Sequence, residues 1–230
     1  MELGKRLREI ASFVPCGSIV ADIGTDHALL PINLVEKGLS PRAIASDVHR
    51  GPYEAAKEAI CARGLREKID LRLGDGLKIL SPGEAHVAVI AGMGGNTIRE
   101  VLNASPEVVG SLKRLILQPM ADIYDLRRWL VHNGWLLADE KLVSEGERLY
   151  VIIAADPGVE KVTDPLSLEI GPRLLEKQDP YLPFFLEKKV QDLERILSGL
   201  SNSQKSQNQK KARDVKKKLF EIRRVLRQCR

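Results

Sequence analysis

Residues 19–31 read Ile19-Val20-Ala21-Asp22-Ile23-Gly24-Thr25-Asp26-His27-Ala28-Leu29-Leu30-Pro31, and the fold turns on how this stretch is read. The run through Ile23 is short and mostly apolar, with β-branched residues, which predicts a strand. Beyond Gly24 the pattern becomes helical and stops at Gly38, with Pro31 early enough that its missing N–H costs little. A strand that turns through one glycine into a helix begins a βα unit, and the rhythm repeats downstream. Ala43 to Val48 leads through Gly51-Pro52 to a helix stopped by Gly64, and Ile69 to Gly74 follows. Val87-Ala88-Val89-Ile90-Ala91 is apolar on both faces and is expected at the centre of a parallel sheet. Leu115-Ile116-Leu117 is the fifth run, followed by a helix over 122–133 and by Gly134.

The rhythm then changes. Trp135 to Val143 and Leu149 to Ala155 are strand-like, and only Ser144-Glu145-Gly146-Glu147 joins them. That link is too short for a crossover helix, so the two must run antiparallel. The predicted class is α/β, a seven-stranded sheet whose last strands are antiparallel, unlike a symmetric dinucleotide-binding fold. Ahead of it, Leu3, Leu7, Ile10 and Val14 recur at helical spacing, with Lys5, Arg6 and Arg8 on other faces. After Pro157 the sequence is helical. Leu186, Val190, Leu193, Leu197 and Leu200 form one stripe and Val215, Leu219, Ile222 and Leu226 another, across a Ser/Asn/Gln-rich link at 201–209. These predict an antiparallel hairpin resembling a coiled coil. The expected domains are 1–157 and 158–230.

Composition narrows the function. With 43% hydrophobic residues and no apolar run near eighteen residues, no spanning helix is expected, and acids and bases throughout residues 1–20 predict no secretory signal. Cys16, Cys61 and Cys229 form no CxxC, and His49, His86 and His132 lie apart, so neither disulfides nor a metal site is expected. A reduced, cytoplasmic protein follows as the expectation. The formal charge of +5 is unevenly spread: residues 201–230 hold eleven Lys/Arg against two acids, a net of +9, which leaves −4 for the rest. Such a tail suits nucleic acid, an anionic surface or an acidic partner protein.

The strand ends carry the chemistry. A glycine loop for pyrophosphate uses several glycines and a helix N-terminus, whereas here Gly24 stands alone between Asp22 and Asp26. Two carboxylates repel a phosphate and favour a cationic ligand. S-adenosylmethionine, with a sulfonium, an ammonium and no phosphate, fits that pattern. Asp47 ends the second strand, where an acid can accept both ribose hydroxyls or simply cap the next helix. Gly74-Asp75-Gly76 ends the third strand, where a carboxylate can accept an adenine amino group. Ala91-Gly92-Met93-Gly94-Gly95 ends the fourth, and three glycines in four positions argue for backbone pressed against a ligand. All four sites fall at carboxyl ends of parallel strands, where this architecture binds its ligands. His27 is either a ligand-facing group or a structural histidine, and Gln118-Pro119 either meets a substrate edge or starts a turn.

These segments, Asp22 to Ala28 with Leu30-Pro31, Gly74 to Leu77, Ala91 to Gly95 and Leu115 to Pro119, resemble the bacterial tRNA (adenine(22)-N1)-methyltransferase family over essentially the whole chain. The resemblance implies a class I methyltransferase-like Rossmann fold and S-adenosylmethionine-dependent methylation of adenine N1 in the D-arm region of tRNA. It departs from the family at Leu29, often Tyr, and at Met120, where Asn is common. The donor-binding candidates are Asp22, Gly24, Asp26, His27, Asp47, Val48, Asp75, Gly76, Ala91, Gly92, Met93, Gly94 and Gly95, with Asp26 also the catalytic candidate. The tRNA-binding candidates are Lys5, Arg6, Arg8, Leu29, Gln118, Pro119, Lys210, Lys211, Arg213, Lys216, Lys217 and Lys218. A monomer is expected. The rival readings are a methyltransferase for another RNA base or a protein, and a catalytically degenerate RNA-binding module.

Overall fold

The structure is a computed structural model that describes residues 2–162, 164–201 and 206–229. It divides into two compact units, Met1–Lys161 and Val162–Arg230. The first opens with α1 (Lys5–Ser12) and β1 (Val20–Ile23), then α2 (Leu29–Glu36), β2 (Ala43–Asp47), α3 (Arg50–Ala62) and β3 (Ile69–Leu73). A 3-10 turn at Gly76–Ile79 leads to β4 (Val87–Met93), α4 (Gly95–Asn103), α5 (Pro106–Ser111), β5 (Arg114–Pro119) and α6 (Ile123–His132). The hairpin β6 (Trp135–Glu145) and β7 (Arg148–Pro157) completes the unit. The second unit is helical: α7 (Pro165–Ile170), α8 (Pro172–Glu176), α9 (Leu182–Ser201) and α10 (Ser206–Gln228).

The seven strands form one sheet in the order β3-β2-β1-β4-β5-β7-β6. β3 through β5 are parallel, and β7 runs antiparallel to both β5 and β6, as the short 144–147 link requires. Strand order reverses at β1, which pairs with β2 on one side and β4 on the other. The helices leaving β1 and β4 therefore diverge and open a crevice above the carboxyl ends of the central strands. β4 extends two residues past Ala91, with a register shift between Ala91 and Met93 that brings Pro119 opposite Met93. α5 carries Pro106 in its first turn.

α1 is amphipathic for a reason visible at Leu3, Ile10 and Val14, which are buried with Val20, Leu34, Val89, Ile116 and Ile152 in one core cluster. That packing brings the N-terminal helix over the face of the central strands. Arg114 fastens the same region: its Nε and Nη2 each reach the Asp156 carboxylate at 2.7 Å, and Nη1 donates to the Phe13 carbonyl. Glu160 accepts from the Leu137 N–H at 3.1 Å, which keeps the chain beyond Pro157 tied to the first unit. In the second unit, α9 and α10 are antiparallel neighbours. Leu186, Leu219 and Ile222 are buried and the other stripe positions half-buried, with exposed charges between them. Glu169 holds the pair together by accepting from Lys189 and Lys218.

Arg127 and Glu140 are both fully buried, with Nε to Oε1 at 2.6 Å between α6 and β6. Truncating one partner removes this ion pair from around a charge that stays buried, at a cost of about 3–5 kcal/mol. Glu140→Ala is expected to lower the unfolding free energy from a urea titration by that much, with the midpoint falling in proportion, while replacing both residues with leucine recovers most of the loss.

Candidate active site

Asp22 ends β1 with only 6% of its surface exposed, and its Oδ2 accepts from the Thr25 hydroxyl at 2.7 Å. Burial pushes its carboxyl up to about 6 from the ordinary 3.8, against the lowering effects of the Thr25 hydrogen bond and the Arg6 charge, and with a further rise from Asp47. The elbow beyond it is tightly specified. The Gly24 and Thr25 N–H groups both donate to the Ser46 carbonyl at 2.8 Å, and Asp26 and Ala28 adopt left-handed conformations. Gly24 has φ +75°, a conformation that favours glycine, and a Cβ there would lie 2.6 Å from the Met93 methyl, which would have to swing aside. Asp26 and His27 project at the rim, largely exposed and 3.7 Å apart.

Asp47 is the second buried acid of the crevice. Its Oδ1 accepts from the His49 N–H at 2.9 Å and its Oδ2 from the Asp26 N–H at 3.4 Å, so it joins the elbow to β2. Asp47 does not cap α3: it binds the N–H of His49, the residue before the helix, and no side chain caps the helix itself. Val48 beside it is 55% exposed, an apolar surface left open next to the acid. Asp75 is exposed and paired with Lys78 at 2.6 Å, and Gly76 turns at φ +56° against Val101.

The glycine run after β4 has two different causes. Gly92 has φ +79° and faces the crevice near Arg6. Gly95 is a glycine because of packing: a Cβ there would lie 2.6 Å from the Asp122 carbonyl and 2.8 Å from that of Ala121. The two loops are joined by Gly95 N–H to Ala121 O at 2.9 Å and Met120 N–H to Met93 O at 2.8 Å. Asn96 adds a bond to the Asp122 carboxylate at 2.8 Å. Backbone pressed against backbone, as well as any ligand, therefore accounts for the run.

Gln118 is fully buried, and its amide nitrogen faces the Pro119 carbonyl at 3.1 Å and the Met120 sulfur at 3.3 Å. Its carbonyl accepts from Arg6 Nη1 at 2.7 Å. Arg6 thus turns away from Lys5 and Arg8, which are exposed on α1, and into the crevice; the three do not form one basic patch. Leu29 is half-buried at the start of α2, against the core beneath α1. The inward turn of Arg6 corrects the expectation that it lies on another face than Leu3, Leu7, Ile10 and Val14, although a signal was there: it lies three residues after Leu3 and four before Ile10, at the flank of their buried face. Tyr150, whose ring lies 5.4 Å from the Arg6 guanidinium carbon, had no such signal. In the second unit, Lys210, Lys211, Arg213, Lys216 and Lys217 are exposed on α10, whereas Lys218 is engaged by Glu169.

The crevice thus offers buried carboxylates at two strand ends, a glycine elbow without the donors of a phosphate cradle, and an apolar surface at Val48. These residues suit a cationic nucleoside. The raised Asp22 carboxyl also fixes a pH signature. Folding favours its neutral form, so its penalty is absent below about 3.8, grows as pH rises to about 6, and is constant above. Asp22→Asn is expected to be more stable than the parent at pH 8 by roughly 2–3 kcal/mol, and the advantage should vanish by pH 4 in paired thermal melts.

Comparison with known proteins gives these features a context. A family model described as a methyltransferase domain matches residues 3–153. The chain is 34% identical to a tRNA (adenine(22)-N(1))-methyltransferase of Bacillus subtilis, over 96% of this chain and 97% of that one. The crystal structure of the B. subtilis m1A22 tRNA methyltransferase TrmK superposes with a TM-score of 0.91 at 31% identity, covering 98% of this chain and 99% of that one. M. capricolum TrmK in complex with S-adenosylhomocysteine gives a TM-score of 0.85 at 26% identity over the full length of both chains. Sheet order, crevice and likeness along the whole chain agree: this protein belongs to the tRNA (adenine(22)-N(1))-methyltransferase family.

Proposed function

We propose that this protein methylates N1 of the adenine at position 22 of tRNA, in the D-arm region, with S-adenosylmethionine as donor. The observation that carries the reading is the acid-lined crevice built by Asp22 and Asp47 at a single-glycine elbow, in a chain that belongs to this family. When bound, the donor supplies an electrophilic methyl on a sulfonium. Everything else is the work of the protein. Asp22, Gly24, Asp26 and His27 line the position of the methionine end, with the carboxylates matching its ammonium. Asp47 accepts the ribose hydroxyls. Val48, Asp75 and Gly76 bound the adenine ring, and residues 91–95 supply the backbone floor.

Neutral adenine N1 has a free lone pair, so the site needs little general-base help, and alignment of nucleophile, methyl and leaving group is worth several kcal/mol. Leu29, Gln118 and Pro119 shape the acceptor side. Methylation leaves positive charge on the base, and Asp26, free at the rim apart from His27, is placed to stabilise it as it develops. N1 lies on the pairing edge, so the adenine must leave its pair, at a cost of a few kcal/mol. Phosphate contacts offset that cost. Lys5, Arg8 and the α10 cations Lys210, Lys211, Arg213, Lys216 and Lys217 are assigned to them, with Lys218 divided between RNA and Glu169. The protein acts as a monomer in the cytoplasm, where its tRNA substrate is found.

Incubation with labelled donor and bulk bacterial tRNA tests the reading directly. Label is expected in 1-methyladenosine at position 22; label in another nucleoside or in protein, or donor binding without transfer, overturns it. Asp47→Ala is expected to weaken donor binding at least tenfold, the loss of about 1.4 kcal/mol or more in charge-assisted hydrogen bonds, while tRNA affinity stays within twofold by calorimetry. Replacing Lys210, Lys211, Arg213 and Lys216 with glutamine is expected to reduce the salt slope of tRNA binding by about three to four, with donor affinity unchanged.

A further inference from the structure

Arg6 is the one cation that the fold carries from the N-terminal helix into the crevice. α1 is fixed at its start by Glu145, whose carboxylate accepts the Arg6 backbone N–H at 3.2 Å and lies where a Cβ on Gly4 would meet it at 2.5 Å. From there the side chain passes over the Tyr150 ring, and Nη1 reaches the Gln118 carbonyl at 2.7 Å, close beside Gly92. Gln118 has no exposure, and its amide nitrogen is already committed to Pro119 and Met120. Arg6 therefore decides which way that amide points. On the other side its charge faces Asp22, whose remaining charged neighbour is Asp47 of β2; Thr25 meets it from its own loop, and its β4 neighbour Val89 is apolar.

We propose that Arg6 is a positioning residue for methyl transfer: it sets the Gln118 amide, and with it the Pro119–Met120 wall on the acceptor side. A guanidinium beside a site for a cationic donor opposes binding unless it serves another group there. Two such groups are present, a buried neutral acceptor and a buried acid that burial alone would leave protonated. The planar, permanently charged fork of arginine meets both demands, whereas an ammonium is a single point of charge with no fixed plane. One side chain thereby links the donor half of the crevice to the acceptor half. The proposal rests on the methyl-transfer reading above.

The test uses the full chain with Arg6→Gln, which keeps a donor for Gln118 but removes the charge, and Arg6→Lys, which keeps the charge but loses the fork. S-adenosylhomocysteine affinity is measured from pH 5.5 to 8.5 by calorimetry, and kcat and KM for tRNA at saturating donor. In the wild type, donor affinity rises as pH passes through about 6 and then levels. Arg6→Gln is expected to move that midpoint upward by about one pH unit, with affinity at pH 6 falling several-fold. Arg6→Lys is expected to leave the midpoint in place and lower kcat for tRNA about tenfold, because the Gln118 amide is no longer held in one orientation. Variants that lose only thermal stability, with midpoint and kcat as in the wild type, make Arg6 a brace and overturn the proposal. If Arg6→Gln does not fold, the Arg6→Lys kcat decides alone. A wild type that binds no S-adenosylhomocysteine overturns the methyl-transfer reading as well, which separates the two failures.

Discussion

The crevice depends on keeping one carboxylate, Asp22, almost out of water at the end of a central strand. Ionising an acid there costs free energy, and the fold meets the cost with a hydroxyl from Thr25 and the nearby positive charge of Arg6. The position of Asp22 follows from strand order. Only where the order reverses, between β2 and β4, do the departing helices leave room above a strand end. An acid two residues along in a looser loop would stay solvated and would bind a cation far more weakly.

Rigidity around that acid comes largely from backbone N–H groups, taken up by a carbonyl, a carboxylate and a neighbouring loop. Ser46 receives two N–H groups from the elbow, Asp47 receives one from each of two loops, and the segments after β4 and β5 are joined by reciprocal amide–carbonyl bonds. Two glycines serve this arrangement differently. Gly24 supplies the positive φ of the elbow, and Gly95 lets the backbone meet the Ala121–Asp122 carbonyls. A site built this way has little freedom to rearrange, which suits a reaction whose chief demand is alignment.

Charge is divided between the units in a way that matches the proposed division of labour. The body that builds the crevice is slightly acidic, while the tail from residue 201 carries a net +9. Excess cations near the crevice would oppose a cationic donor, and acids on the tail would oppose a polyanion. Arg6 breaks this pattern, and its neighbours Gln118 and Asp22 explain why it can.

Alternating apolar runs, glycine stops and the 144–147 link were enough to read the five parallel strands, the closing hairpin and the helical tail, because each depends on local periodicity and turn chemistry; the third strand, however, is followed by a 3-10 turn and not by the α-helix of a full βα unit. The acids at Asp22 and Asp47 and the elbow glycine were legible for the same reason: strand ends in a parallel sheet converge whatever lies between them. Tertiary structure alone decided what Arg6 meets, that Gln118 is buried beneath it, that Gly95 answers to the 121–122 backbone, and that Lys218 is held by Glu169. Each of these is a contact between residues far apart in the chain. Local pattern says which face a side chain occupies but not what the rest of the fold has placed opposite it.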